Sequence, residues 1–203
     1  MSSAPQPAEP RKVASLHKHA IDNLRYIRET MERAGAFTAV PGWGGVVMGV
    51  SALLTTVLTA NLPSRELWFQ AWIGEAAIAF AIGVFAMIQK SKAVNSPLWN
   101  GPGRKFALSL LPPMIAGAAL TLFFYQQGLY SMMPGMWLML YGVAVITGGA
   151  FSVNVVPIMG VSFMIVGIAA LFVPWNLANI LMGVGFGGLQ MIFGAIIARR
   201  YGG

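Results

Sequence analysis

The sequence predicts an all-α integral membrane protein with six transmembrane helices, both termini cytoplasmic, preceded by a cytoplasmic amphipathic helix. Three observations predict it. Of 203 residues, 57% are apolar and only 9% charged, with a mean hydropathy of +0.68, which is too little charge to solvate a globule of this size. From Phe106 to Ala198 there is no Lys, Arg, Asp, Glu or His; since a helical span needs about 20 residues, this run has room for about four spans. Of the 13 Lys and Arg residues, Arg65 is the single one that does not fall before the first span, between the second and third, or after the last. Cations flanking a span resist translocation, so this asymmetry and the even number of spans both put the two ends of the chain in the cytoplasm.

The same composition excludes a soluble enzyme, a disordered chain and a compact nucleic-acid-binding domain. The chain has no cysteine, which removes disulfides, thiolate metal sites and Cys nucleophiles. The net charge of +7 sits beside the spans, where it sets orientation and attracts anionic headgroups; the expected partner is the lipid bilayer, with no direct nucleic-acid contact.

Residues 1–12, punctuated by Pro5, Pro7 and Pro10, read as a disordered tail. Residues 13–40 read as the amphipathic helix and an elbow. In it Leu16, Ala20, Leu24, Ile27 and Met31 recur at spacings of three and four, within a stripe running from Val13 to Ala34. The opposite face carries i,i+4 pairs from Arg25 to Glu29 and from Arg28 to Glu32, each worth a few tenths of a kcal/mol. Asp22, Glu29 and Glu32 dilute the basic character that an interfacial helix usually has, so the stripe is expected to pack on protein: a second copy, a cytoplasmic partner or the ends of the spans. His17 and His19 point to different helix faces and read as solvated. Gly35 and Pro41 end the helix.

Residues 41–203 form the membrane domain, with spans expected near 43–60, 67–89, 106–125, 135–152, 156–173 and 177–198. Turn chemistry separates them: Gln126 to Gly135, Asn154 to Pro157, and Pro174-Trp175-Asn176. Trp68, Trp72, Tyr125, Trp137 and Trp175 read as anchors at the outer interface, and Trp43, Trp99 and Tyr201 as anchors at the inner one. Pro112, Pro113 and Pro157 are expected near helix starts, where proline is tolerated. The glycine run Gly183 to Gly188 lies in an apolar span with no strand before it, so it is no dinucleotide fingerprint. Gly183 with Gly187, and Gly45 with Gly49, read instead as small-residue packing faces. Similar openings, Gly42-Trp43 and Gly135-Met136-Trp137, hint at two inverted three-span halves and are the whole of that signal.

The segment from Leu24 to Gly45, LRYIRETMERAGAFTAVPGWGG, resembles one that precedes the first span in an uncharacterised family of small polytopic bacterial membrane proteins. The likeness covers about the first quarter of the chain. It implies a bacterial inner-membrane location and a loose association with genes for winged-helix regulators; it brings no established activity and no functional residues.

Glu75 is the one ionisable residue inside an expected span. It lies seven residues past Trp68, roughly 10 Å into the membrane. A carboxylate costs about 2.5 to 3.5 kcal/mol at a helix centre on insertion scales, less toward the interface, and marks a functional-site hypothesis. Small neighbours, Ala71, Gly74, Ala76, Ala77 and Ala79, allow other helices to approach, and Gln190, Gln70 and Thr121 are candidate polar neighbours. Gln190 and Asn154 read first as hydrogen-bonders between helices. The spans lack the residue clusters of hydrolysis, phosphoryl transfer or redox chemistry, so no catalytic residue, metal site or cofactor is expected. Three functions remain open. The first is a non-enzymatic anchor, sensor or regulatory component acting through the amphipathic helix. The second is a small proton- or cation-coupled transporter or channel using Glu75. The third is a structural subunit of a larger membrane complex.

Overall fold

In hydrocarbon every backbone N–H and C=O has to be bonded within the protein, which leaves helices and closed barrels, and apolar runs of about 20 residues select helices. The computed structural model describes residues 40–93 and 101–202 together with Asn23, Leu24, Ile27 and Phe37. Among them are six helices long and apolar enough to cross a membrane: α1 (Gly42–Thr59), α2 (Arg65–Ala93), α3 (Gly101–Gln126), α4 (Met133–Gly149, entered through a 3₁₀ turn at Tyr130–Met132), α5 (Val155–Phe172) and α6 (Trp175–Tyr201). Each expected span is matched by one of these helices. The protein is a multi-pass, all-helical membrane protein.

The chain divides into two units, Met1–Ala36 and Phe37–Gly203. In the first, Leu24 and Ile27 are helical and exposed; Leu16, Ala20 and Met31 of the expected stripe lie outside the described residues. The second unit begins a few residues earlier than the boundary expected at residue 41, because Phe37 is bound into it. The Phe37 N–H donates to the Phe151 carbonyl at 2.7 Å, the Ser152 hydroxyl donates to the Phe37 carbonyl at 2.8 Å, and the buried ring stacks on Phe106 with centroids 4.9 Å apart.

Two glycine seams hold the helices together. In one, α1 lies against α6: a Cβ on Gly49 would come 2.7 Å from the Gly187 carbonyl oxygen, and one on Gly45 would come 3.2 Å from the Gly194 Cα. Gly183 meets Thr56 in the same seam. In the other, α4 lies against α5 through Gly135, Gly142 and Gly149, spaced by two turns, facing Gly167, Gly160 and Pro157. The first seam is the packing face expected from the glycine pattern; the second was not anticipated. With no hydrophobic force between helices in lipid, close backbone approach through small residues is what holds such seams.

Helices α2 and α3 stand at the edge. The first leans on α1 and the second on α4, with no packed seam between them, and most of their surface is exposed. Helix α3 starts at Gly101, so Pro112 and Pro113 lie well inside it and not near its start. A proline deprives the carbonyl four residues back of its donor. For Pro113 that carbonyl is Ser109, and the Thr147 hydroxyl of α4 reaches it at 2.8 Å. In α6 the glycine run forms a π-helical segment, Gly183–Leu189. The start of α1 and the end of α6 share one end of the bundle, where buried Lys90 donates to the carbonyls of Val40, at 2.8 Å, and Gly202.

The seams differ sharply from the open faces, and substitutions report it. Gly160→Val places its Cβ 2.6 Å from the Gly142 carbonyl oxygen and is expected to destabilise by about 1–3 kcal/mol or more. Gly74→Ala, with nothing within 4 Å, is expected to stabilise by roughly 0.5–1 kcal/mol through helix propensity. Thermal unfolding of the detergent-solubilised variants measures both.

Candidate functional site

Glu75 is buried, on the side of α2 that faces α1. There Ser51 and Thr55, one helical turn apart, donate to its two oxygens: Ser51 Oγ to Oε1 at 2.7 Å and Thr55 Oγ1 to Oε2 at 3.2 Å. The Ser51 hydroxyl also lies 2.9 Å from the Met48 carbonyl. One hydroxyl proton cannot serve both acceptors, and this gives the site two satisfied states. With Glu75 ionised, Ser51 donates to the carboxylate. With Glu75 protonated, the carboxyl donates to Ser51 Oγ and Ser51 turns its proton to Met48. Neither protonation state leaves the pair short of a partner.

Glu75 is one of the residues that line a cavity of about 500 Å³. Helix α1 contributes Met48 and Ala52, α4 contributes Trp137, Leu140 and Tyr141, and α6 contributes Met182, Phe186 and Gln190. Helices α2 and α3 form the two sides, through Ile73, Phe80 and Val84 on one and Leu110, Met114, Ala118 and Thr121 on the other. Because these helices make no seam, the cavity opens between them, and Ile73, Phe80, Val84 and Ala118 on its rim are exposed. At one end the opening is closed by aromatic rings: Phe69 stacks on Tyr125 with centroids 4.9 Å apart, Tyr130 meets both edge-on, and the Tyr125 hydroxyl donates to Glu66 Oε1 at 3.3 Å.

Of the polar neighbours expected for Glu75, Gln190 and Thr121 line this cavity and Gln70 does not. Gln70 is exposed on α2; five residues from Glu75, it is about 140° away around the helix. Neither of the other two touches the carboxylate. Thr121 donates to the Gly117 carbonyl at 2.6 Å and accepts from Trp137 Nε1 at 2.8 Å. Gln190, buried, accepts from the Tyr141 hydroxyl at 3.3 Å. Asn154 is exposed ahead of α5 and forms no side-chain cap.

The direct partners, Ser51 and Thr55, were missed, as was Asn179. This buried asparagine lies four residues into α6. Its Oδ1 accepts from Trp68 Nε1 at 2.7 Å, Thr59 Oγ1 at 3.3 Å and, more weakly, Trp72 Nε1 at 3.4 Å, while Nδ2 donates to the Thr56 carbonyl at 3.3 Å. The signal was in the sequence: Ser51, Thr55 and Thr59 recur every four residues, so α1 carries a stripe of hydroxyls on one face. The asparagine also corrects the placing of two expected anchors. Trp68 and Trp72 are inside the bundle because their indole N–H groups have an acceptor there. Trp137 and Trp175 are half-buried, packed on Trp68 at 5.6 and 4.7 Å. Tyr125, Trp43 and Tyr201 are exposed, as an interfacial ring has to be.

The described residues contain no group of three or more His, Cys, Asp or Glu that could hold a metal. Comparison with protein-family models, curated proteins and solved structures gives no match. What the site can do follows from its geometry alone: hold or release one proton at Glu75, and receive a guest from the side of the bundle.

Asn179 fixes the end of the site nearest Trp68. Asn179→Leu leaves the Trp68 indole without its buried acceptor, while the Thr59 hydroxyl keeps the Thr55 carbonyl at 2.8 Å, at a cost of about 1–3 kcal/mol. A lower melting temperature together with a shifted tryptophan emission maximum is the expected result.

Proposed function

We propose that this protein is a small proton- or cation-coupled carrier of the bacterial inner membrane, with both termini cytoplasmic and Glu75 as the group that exchanges a proton for its ligand. One observation carries the reading: an intramembrane carboxylate, satisfied in both protonation states, on a residue that lines a cavity opening sideways between α2 and α3. A carboxylate with a purely structural role between two helices needs no such opening beside it. The distribution of cations supports the orientation. Lys90, Lys92, Arg104, Lys105, Arg199 and Arg200 lie toward the end of the bundle where α1 begins and α6 ends, and Arg65 lies at the other end. The anchor or sensor reading rests on the stripe from Leu16 to Met31, most of which falls outside the described residues, and the subunit reading has no residue to rest on.

A pH step tests the carrier reading without knowledge of the ligand. In proteoliposomes on a solid-supported membrane, a sudden change of external pH should displace charge as Glu75 takes up or loses its proton. The wild-type protein is expected to give a transient current that falls at least tenfold in Glu75→Gln, which keeps the side-chain volume. Equal currents from the two proteins would overturn the proposal.

A further inference from the structure

We infer that the cavity takes a bulky organic monocation that partitions into the bilayer, entering between α2 and α3 and pairing with Glu75. This rests on the carrier reading and names the class of its ligand. Charge complementarity gives the sign: Glu75 is the one carboxylate among the lining residues, and no Lys, Arg or His lines the cavity.

An anion is disfavoured twice, by the carboxylate and because the lining N–H and O–H groups with assigned bonds already point at protein acceptors. Trp72 donates to Asn179, Trp137 and Tyr141 donate to Thr121 and Gln190, and Thr121 donates to Gly117. A bare inorganic cation needs several oxygen ligands to replace its water. Here Glu75 supplies the one carboxylate of the lining, and most of the remaining wall is carbon. A neutral lipophile has no use for a carboxylate that is costly to keep at this depth.

An organic cation fits each of these facts. Its charge is spread and weakly hydrated, so a wall of carbon does not strip it of essential ligands. Trp72, Phe80, Trp137, Tyr141 and Phe186 are aromatic residues of the lining, and a cation within about 6 Å of a ring centroid is attracted to it. The Trp137 indole is held by its N–H bond to Thr121 and Trp72 is buried among its neighbours, so these rings are in place before any ligand arrives. The volume of about 500 Å³ is in the usual range for a small-molecule site. The exposed rim, Ile73, Phe80, Val84 and Ala118, is apolar, so the way in is from lipid. From the protonated state of Glu75, one proton leaves as one positive charge enters, and the cavity keeps its net charge.

The experiment uses tetraphenylphosphonium as the probe, and tetraphenylborate as its counterpart of the same shape and opposite charge, with the full-length protein in detergent. The expected result is saturable tetraphenylphosphonium binding, about one proton released per cation bound in weak buffer, at least tenfold weaker binding by Glu75→Gln, and no saturable tetraphenylborate binding. Ala118→Trp, on the exposed rim with a side chain that takes part in no polar bond, is expected to slow association severalfold at unchanged melting temperature, and keeps the entry route testable should the Glu75 variant fold poorly. Equal binding of the two probes, binding unaffected by Glu75→Gln, or unchanged association with Ala118→Trp would overturn the inference. If neither probe binds while the pH-step current persists and requires Glu75, the ligand class is wrong and the carrier reading stands. If the cation binds but no current flows, the carrier reading fails.

Discussion

The hydrocarbon core of a membrane supplies no water, so every polar side chain inside it has to find its partner in the protein. In this molecule one stripe of hydroxyls meets much of that demand. Ser51 and Thr55 bind the Glu75 carboxylate on α2, and Thr59, one turn further, binds Asn179 on α6. Helix α1 is thereby tied to one neighbour by a charged or protonated acid and to the other by an amide. The glycine seam with α6 brings the backbones close enough for the second tie to form. Glu75, Asn179, Trp68 and Trp72 all take their positions from this stripe.

The same arrangement accounts for the cavity. Helix α2 is held to α1 by polar bonds along one face, and α3 is held to α4, with Thr147 serving a carbonyl that Pro113 leaves without its usual donor. Neither helix has a glycine seam with the other, and the space between them is bridged at one end by the rings of Phe69, Tyr125 and Tyr130. Behind it, aromatic rings run from Trp175 through Trp68 and Trp72 to Phe186 and Phe163. A bundle so built has a packed back and an open side. The π-helical segment belongs to the back: its glycines face α1 and α4, while Phe186 and Gln190 face the cavity. A π turn carries one more residue per turn than the α-helix around it, which allows one run to present both faces.

The fold was legible to a large degree because span length, the absence of charge and turn residues act locally along the chain. The site was legible in part. Glu75 stands out in any reading, since a lone acid in an apolar segment is costly. Gln190 and Thr121 were identified as candidates and do line the cavity, but they bond Tyr141 and Trp137 and not the acid. Gln70 fails by helical phase. Ser51 and Thr55 escaped notice because serine and threonine are common in spans, where they also bond their own backbone, as Thr56 does with Ala52. Trp68 and Trp72 were misplaced because tryptophan near the end of a span is usually interfacial, and their interior acceptor, Asn179, is more than a hundred residues away.

By itself, the sequence determined that this is a helical membrane protein, that it has six helices long and apolar enough to cross, roughly where each lies and which acidic side chain is buried among them. Each of these follows from hydropathy, length and charge along a contiguous segment. Tertiary structure alone decided what that acid touches, which tryptophans turn inward, that the second glycine seam joins α4 to α5, and that α2 and α3 part to leave a cavity. These depend on helical phase and on pairings between distant segments. In lipid, where every helix is equally apolar outside, the choice of neighbour is made by small residues and a few polar contacts that a linear reading does not rank.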